Sequence, residues 1–349
     1  MNPTSLIPAA DPIPAPALLF EILGGLTLLL HLLAVNMVVG GLILGIARSH
    51  LPTGSRRSPF WPGLPIALAL AINLGVAPLL FLQVNWGGPF YAASVLMARS
   101  WLAIIPVLIV AYYGLYLVRA GRWTTWLAPA VLLLLLGIGF VLVNDMTLML
   151  EPGRWLGWEK ARGGTLHNLA QPLIWPRWLH FVVASVAVGG LTQAGLEGWA
   201  RLRKRPVHRE RRAQGLTVFA WATKAQLVVG LIQLAVLPSG LRALFLGRSP
   251  LLSGALGLGV LAALGAIIAA QRGKLWPTIG FFLPTMALMV TTRQLLRLAF
   301  QRGVDPLTEL PLDAEYGPLV MFAVALLLGV AVVTWLVRLA LRATAEEAP

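Results

Sequence analysis

The chain has 349 residues, 58% of them hydrophobic and only 11% charged. Its mean hydropathy is +0.80, and a soluble globular protein carries roughly 25% charged residues. This balance excludes a soluble enzyme, a disordered chain and a nucleic-acid-binding domain. The net charge of +14 lies in short loops between apolar runs rather than in one basic face. With no Cys, disulfides, thiolate metal sites and iron–sulfur ligation are excluded.

A bilayer core of about 30 Å takes about 20 apolar residues as helix. Nine stretches meet that length: 17–47, 64–84, 101–118, 126–144, 178–200, 216–237, 250–270, 275–296 and 318–341. The segment before the first, residues 1–16, is rich in Pro and Ala and lacks a basic n-region, so it does not read as a cleaved signal peptide. Placing the N-terminus outside puts sixteen Lys and Arg in the inner loops and ten in the outer loops. That asymmetry predicts an outer N-terminus, a cytoplasmic C-terminus and a multi-pass protein of the inner (plasma) membrane. The third inner loop, with Arg201, Arg203, Lys204, Arg205, Arg209, Arg211 and Arg212, reads first as a topology signal. An anionic-lipid patch is the alternative.

Two stretches are alike. Residues 30–45 read LHLLAVNMVVGGLILG and residues 179–195 read LHFVVASVAVGGLTQAG. Each carries Leu-His and then a Gly pair, Gly40-Gly41 and Gly189-Gly190. Each opens a group of four spans. The expected architecture is therefore an all-α integral membrane protein of nine transmembrane helices. They form two tandem four-helix bundles, 1–150 and 151–300, and then an outer loop, a ninth helix and a short tail, 301–349. Small residues at this spacing allow close helix packing in lipid.

Of the five His, His50, His167 and His208 fall in loops, whereas His31 and His180 fall within spans. Polar groups at such depth mark function by default. At 1.5 Å per residue His31 and His180 sit roughly 25 and 31 Å from the basic inner edge, in the outer half. One His per bundle, with no Cys and no acidic cluster, favours imidazole as an axial haem ligand over a zinc or di-iron site. A bond to a neighbouring helix is the plainer reading. Glu21, Asp145, Arg293 and Arg297 lie near outer ends of spans, and Lys224 lies inside the sixth. An Arg at such an end can bind haem propionates or stay solvated. The thirteen Trp and five Tyr cluster at span edges, as an interfacial aromatic belt does.

An ordered set of blocks resembles subunit I of cytochrome bd-type quinol oxidases. The blocks are INLGVAPLLFLQVNWG (72–87), VLVNDMTLMLEPG (141–153), WLHFVVASVAVGGLTQAGLEGWARLRKR (178–205), HRERRAQG (208–215) and LPTMALMVTTRQ (283–294). The resemblance implies that His180 ligates a low-spin haem b and His31 an oxygen-reactive haem. It also has departures. The family's Met ligand falls near 248–256, where this chain has no Met. The acidic ligand before Arg-Gln is replaced by Thr291 and Thr292, and only about a dozen residues stand where the family has its long quinol loop. No acidic residue lies deep in any span.

The expectation is therefore an electron-transfer subunit with one or two b-type haems, not an oxygen reductase. It would pass electrons between a quinol and a partner redox subunit, another membrane chain or a cytochrome c. His180 and His31 would hold haem iron, Arg293 would meet a propionate, and the second axial ligand would be Met286, Met289 or Met146, or nothing. A Met in an apolar helix more often packs. The rivals are a haem-free membrane scaffold or anchor subunit of a respiratory complex and a transporter built on the repeat.

Overall fold

The computed structural model describes residues 12–49, 60–203, 206–301 and 310–346. His50, Arg56, Arg57, Lys204, Arg205, Asp305 and Glu309 lie outside the described residues, as does most of the inner loop 48–60. The described chain is helical throughout, with one isolated β-bridge between Ile13 and Leu312. The long helices are α1 (Ala17–Ser49), α2 (Leu64–Leu96), α3 (Ala98–Arg119), α4 (Thr124–Leu148), α5 (Ile174–Leu202) and α6 (Arg209–Val236). A short α7 (Ser239–Ala243) precedes α8 (Pro250–Gln271), α9 (Leu275–Gln301) and α10 (Tyr316–Glu346).

Eight of these helices, α1 to α6, α8 and α9, are long and apolar enough to cross a membrane. The chain is a multi-pass membrane protein by length and composition. Short connections make successive helices antiparallel. One end of the bundle thus holds the start of α1 and the finish of α9, here the Glu21 end. The opposite end holds Arg48 and the start of α6.

The structure runs several helices past the edges that apolarity alone marks. The second span, expected to stop at 84, continues to Leu96 after a break at Trp86 (φ −134°, ψ 28°). Pro89 explains the break: it has no N–H, and its ring meets the carbonyl of Asn85 one turn earlier. Pro78 lies earlier in the same helix without such a break.

Helix contacts repeat between the halves. In the first, α1 packs on α2 and α3 on α4; in the second, α5 packs on α6 and α8 on α9. The halves meet chiefly where α1 crosses α5. A Cβ on Gly40 would overlap the Ser185 carbonyl and lie 2.8 Å from Gly189 Cα. A Cβ on Gly189 would lie 2.7 Å from the Gly40 carbonyl carbon. Only glycine permits backbones this close. Beside the crossing, Ser185 Oγ donates to Asn36 Oδ1 at 2.9 Å, so both buried polar side chains are engaged. The second glycine of each pair faces its own half: Gly41 lies on Leu64 at the start of α2, and Gly190 on Gly215 of α6. The matched Gly pairs therefore hold a between-half contact and a within-half contact in the same order.

α10 differs from the rest. Val320, Leu327, Leu328, Val332 and Trp335 are all exposed on it. Its contact with the bundle includes Phe322, edge-on to Phe81. Backbone bonds between Ile13–Pro14 and Pro311–Glu315 tie its leading segment to the start of the chain.

Candidate functional site

His31 is half-buried on α1, and its Nδ1 lies 2.8 Å from the Ala71 carbonyl of α2. That bond makes Nδ1 the protonated nitrogen and leaves the lone pair on Nε2. The ring rests on Gly75, where a Cβ would come within 2.8 Å of Cε1. His180 is also half-buried, and its ring approaches Gly230 of α6. Gln226, one turn before Gly230, donates to the His180 carbonyl at 3.2 Å. Each histidine thus faces the second helix of its own half beside a glycine. Their polar environments differ: His180 Nδ1 is buried and has no hydrogen-bond partner among the described residues.

One turn before His180 on the same helix face is Arg177. Its guanidinium stands 5.9 Å from the Phe300 ring centroid of α9. Arg293, exposed on α9, lies within electrostatic reach of Arg177, Arg297 and Glu21. Three arginines therefore gather at the Glu21 end, with Glu21 and Glu151 as their acidic neighbours.

Glu21 and Arg297 form an ion pair at 2.8 Å, with side chains 9% and 8% exposed. Trp86 Nε1 and Asn85 Nδ2 donate to the other Glu21 oxygen at 2.8 and 3.1 Å. The Arg297 guanidinium also stands 5.6 Å from the Trp86 ring centroid. Asn85 and Trp86, at the break in α2, both reach this carboxylate, and Arg297 Nε has no partner among the described residues. A second polar group lies at the same end. Asp145 is fully buried, and Ser94 Oγ donates to its Oδ1 at 3.4 Å, whereas Oδ2 has no partner among the described residues. Asn144 Oδ1 accepts from the Asn168 backbone at 2.9 Å, and Asn168 Nδ2 donates to Glu151 at 3.1 Å.

The methionines considered as second axial ligands all pack. Met286 lies against the apolar cluster of Ala187, Leu191 and Phe219. The Met289 methyl fills the space over Gly259 of α8. Met146 packs on the cluster around Trp86 and Leu148. Lys224 directs its ammonium over the Trp221 ring, 4.2 Å from the centroid. Among the described residues no group of three or more His, Asp and Glu side chains forms a metal cage.

An apolar groove of about 520 Å³ runs among α1, α2, α5 and α9. Leu30, next to His31, and Leu74, next to Gly75, line one part; Leu191, Trp199 and Phe282 line another. The spans foretold both histidines and the Glu21, Asp145, Arg293 and Arg297 positions. Ser94 and Asn168 carried no signal in the sequence, because each is an ordinary polar residue made significant by burial. No family model matches the chain, and no curated protein or solved structure is similar to it.

Proposed function

We propose that the chain is a b-type haem electron-transfer subunit of the inner membrane, similar in plan to cytochrome bd subunit I. The observation carrying this reading is His180, whose buried Nδ1 has no partner among the described residues and which stands one turn from Arg177, itself within electrostatic reach of Arg293. A b-type haem needs an imidazole and cationic or hydrogen-bonding partners for its propionates. The residues here fit that donor set. His180 would hold the iron; Arg177 and Arg293 would balance the propionates, and Arg297 would do so where its Glu21 bond leaves Nε free. His31, with its Nδ1 already bonded, would offer Nε2 to a second haem. When bound, the group takes up and releases single electrons. The helices supply ligation, burial and charge around it.

The same reading takes nine spans, α10 being the ninth, as two four-helix bundles (1–150 and 151–300) and a terminal unit (301–349). Its N-terminus is outside and its C-terminus cytoplasmic. The 520 Å³ groove offers an apolar surface for a quinone tail beside His31. The electron partner would be a second membrane chain or a c-type cytochrome.

Reduced-minus-oxidised spectra of protein made in a haem-replete host test this. Wild type should show a b-type signal, His180→Ala should lose it while still inserting, and His31→Ala should remove at most one haem. Absence of a Soret band in the wild type overturns the reading. The haem-free scaffold then stands, favoured by the His31–Ala71 bond and the packed methionines, which give these residues a structural role.

A further inference from the structure

We infer that the cleft between the start of α6 and the finish of α8 is a site for an anionic phospholipid. The cleft, about 300 Å³, is lined by Leu216, Thr217, Ala220 and Trp221 of α6 and by Ala270, Gln271 and Gly273 at the end of α8. It lies at the Arg48 end, away from the histidines and the Glu21 ion pair.

Three features select an anionic lipid. The first is charge. Arg212 donates from Nη2 to the Gly273 carbonyl at 3.1 Å, which holds its guanidinium at the rim. Arg272 and Lys274 flank Gly273 in sequence and are exposed. Lys224 lies over the Trp221 ring. The nearby acids do not cancel these cations. Glu197 is engaged by Arg211 at 4.0 Å and by the His208 N–H at 2.9 Å, leaving Glu210 in the first turn of α6. The second is unused polarity. Thr217 and Gln271 line the cleft, and neither side chain bonds to a described residue. They supply donors for phosphate or glycerol oxygens. The third is what continues below. Leu231 and Ile232 of α6 and Leu264 and Ile268 of α8 are exposed apolar residues deeper along the same two helices. A cationic rim, a polar throat, an interfacial Trp and an apolar track match headgroup, glycerol and acyl chains in order.

Native mass spectrometry of the full chain in detergent, titrated with phosphatidylglycerol or phosphatidylcholine, tests this. Wild type should retain one phosphatidylglycerol in preference to phosphatidylcholine. Arg212→Gln/Arg272→Gln/Lys274→Gln should weaken that binding by about 100-fold, since each basic residue near a headgroup is worth roughly fivefold. Thr217→Trp, which fills the cleft with every charge intact, should also displace the lipid. It is the decisive variant if the triple substitution fails to fold. Arg119→Gln/Arg122→Gln, at the α3–α4 corner of the same end, should change nothing. Equal retention of both lipids, unaltered binding in Thr217→Trp, or an equal loss in the control pair overturns the site. Inorganic phosphate at millimolar concentration should not compete, and competition would identify a free-anion site instead.

Discussion

Glu21 and Arg297 stand 276 positions apart in sequence and form a 2.8 Å ion pair that is more than nine-tenths buried. The pair joins the first turns of α1 to the last turns of α9. Trp86 and Asn85 add bonds from α2, so three helices meet on one carboxylate. Charges removed from water cost more than their attraction returns unless such additional bonds complete the shell.

Removal of one partner leaves the other charge buried alone. Arg297→Ala and Glu21→Ala should each lower stability by about 3–5 kcal/mol. The double variant should lose less than the sum, because it leaves no isolated charge. Thermal unfolding in detergent, followed by intrinsic tryptophan fluorescence, checks this. Additive losses would show that the two residues act separately.

The α1–α5 crossing yields a sharper steric expectation. Gly40→Ala places a methyl against the backbone of α5, and backbone cannot rotate aside as a side chain can. Gly40→Ala and Gly189→Ala should each cost roughly 1–3 kcal/mol. Gly137→Ala and Gly254→Ala meet nothing within 4 Å. These should be neutral or gain up to about 1 kcal/mol from helix propensity. Equal melting temperatures for the two sets would remove the crossing as a packing constraint.

Much of the fold was legible because span length and composition are set by the bilayer rather than by tertiary detail. The repeated Leu-His and Gly-Gly pattern marked small residues suited to close packing, but not their partners: Gly40 and Gly189 meet each other at the α1–α5 crossing, while Gly41 and Gly190 face their own halves. The extension of α2 past Trp86 was not legible. Residues 85–89 read as the end of a span because Gly87, Gly88 and Pro89 interrupt it, yet the helix resumes beyond the break. The candidate site was half legible. His31 and His180 stood out as polar residues in apolar runs. The Glu21–Arg297 pairing did not, because it depends on how two distant helices lie side by side. The burial of Asp145 depends on the Ser94 side of α2, which no periodicity marks.

Topology can be read chemically because the native chain has no Cys. Arg122→Cys, between α3 and α4, and Gly153→Cys, after α4, should label from opposite faces of sealed membranes. The Lys and Arg asymmetry predicts that Gly153→Cys reacts with an impermeant maleimide from outside and that Arg122→Cys reacts only after permeabilisation. Labelling of both from one face would break the antiparallel order of α3 and α4. Reversed labelling would invert the orientation.

Asp145 offers the clearest case of a natural residue that costs stability. Its carboxyl group is fully buried, Ser94 supplies one 3.4 Å bond, and Oδ2 has no partner among the described residues. An ionised carboxylate without a counter-charge is far more expensive in such a place than a neutral amide. Asp145→Asn keeps the shape and the oxygen that accepts from Ser94, and should raise stability by about 1 kcal/mol or more. Ser94→Ala should cost roughly 0.5–1.5 kcal/mol in the wild type, and less in the Asp145→Asn background if the wild-type carboxyl is ionised. Measured as a cycle of four melting curves, that difference isolates the charge. Destabilisation by Asp145→Asn would show instead that the carboxylate is held by a cation or proton relay worth more than its burial, and the residue would then belong with the functional groups of the Glu21 end.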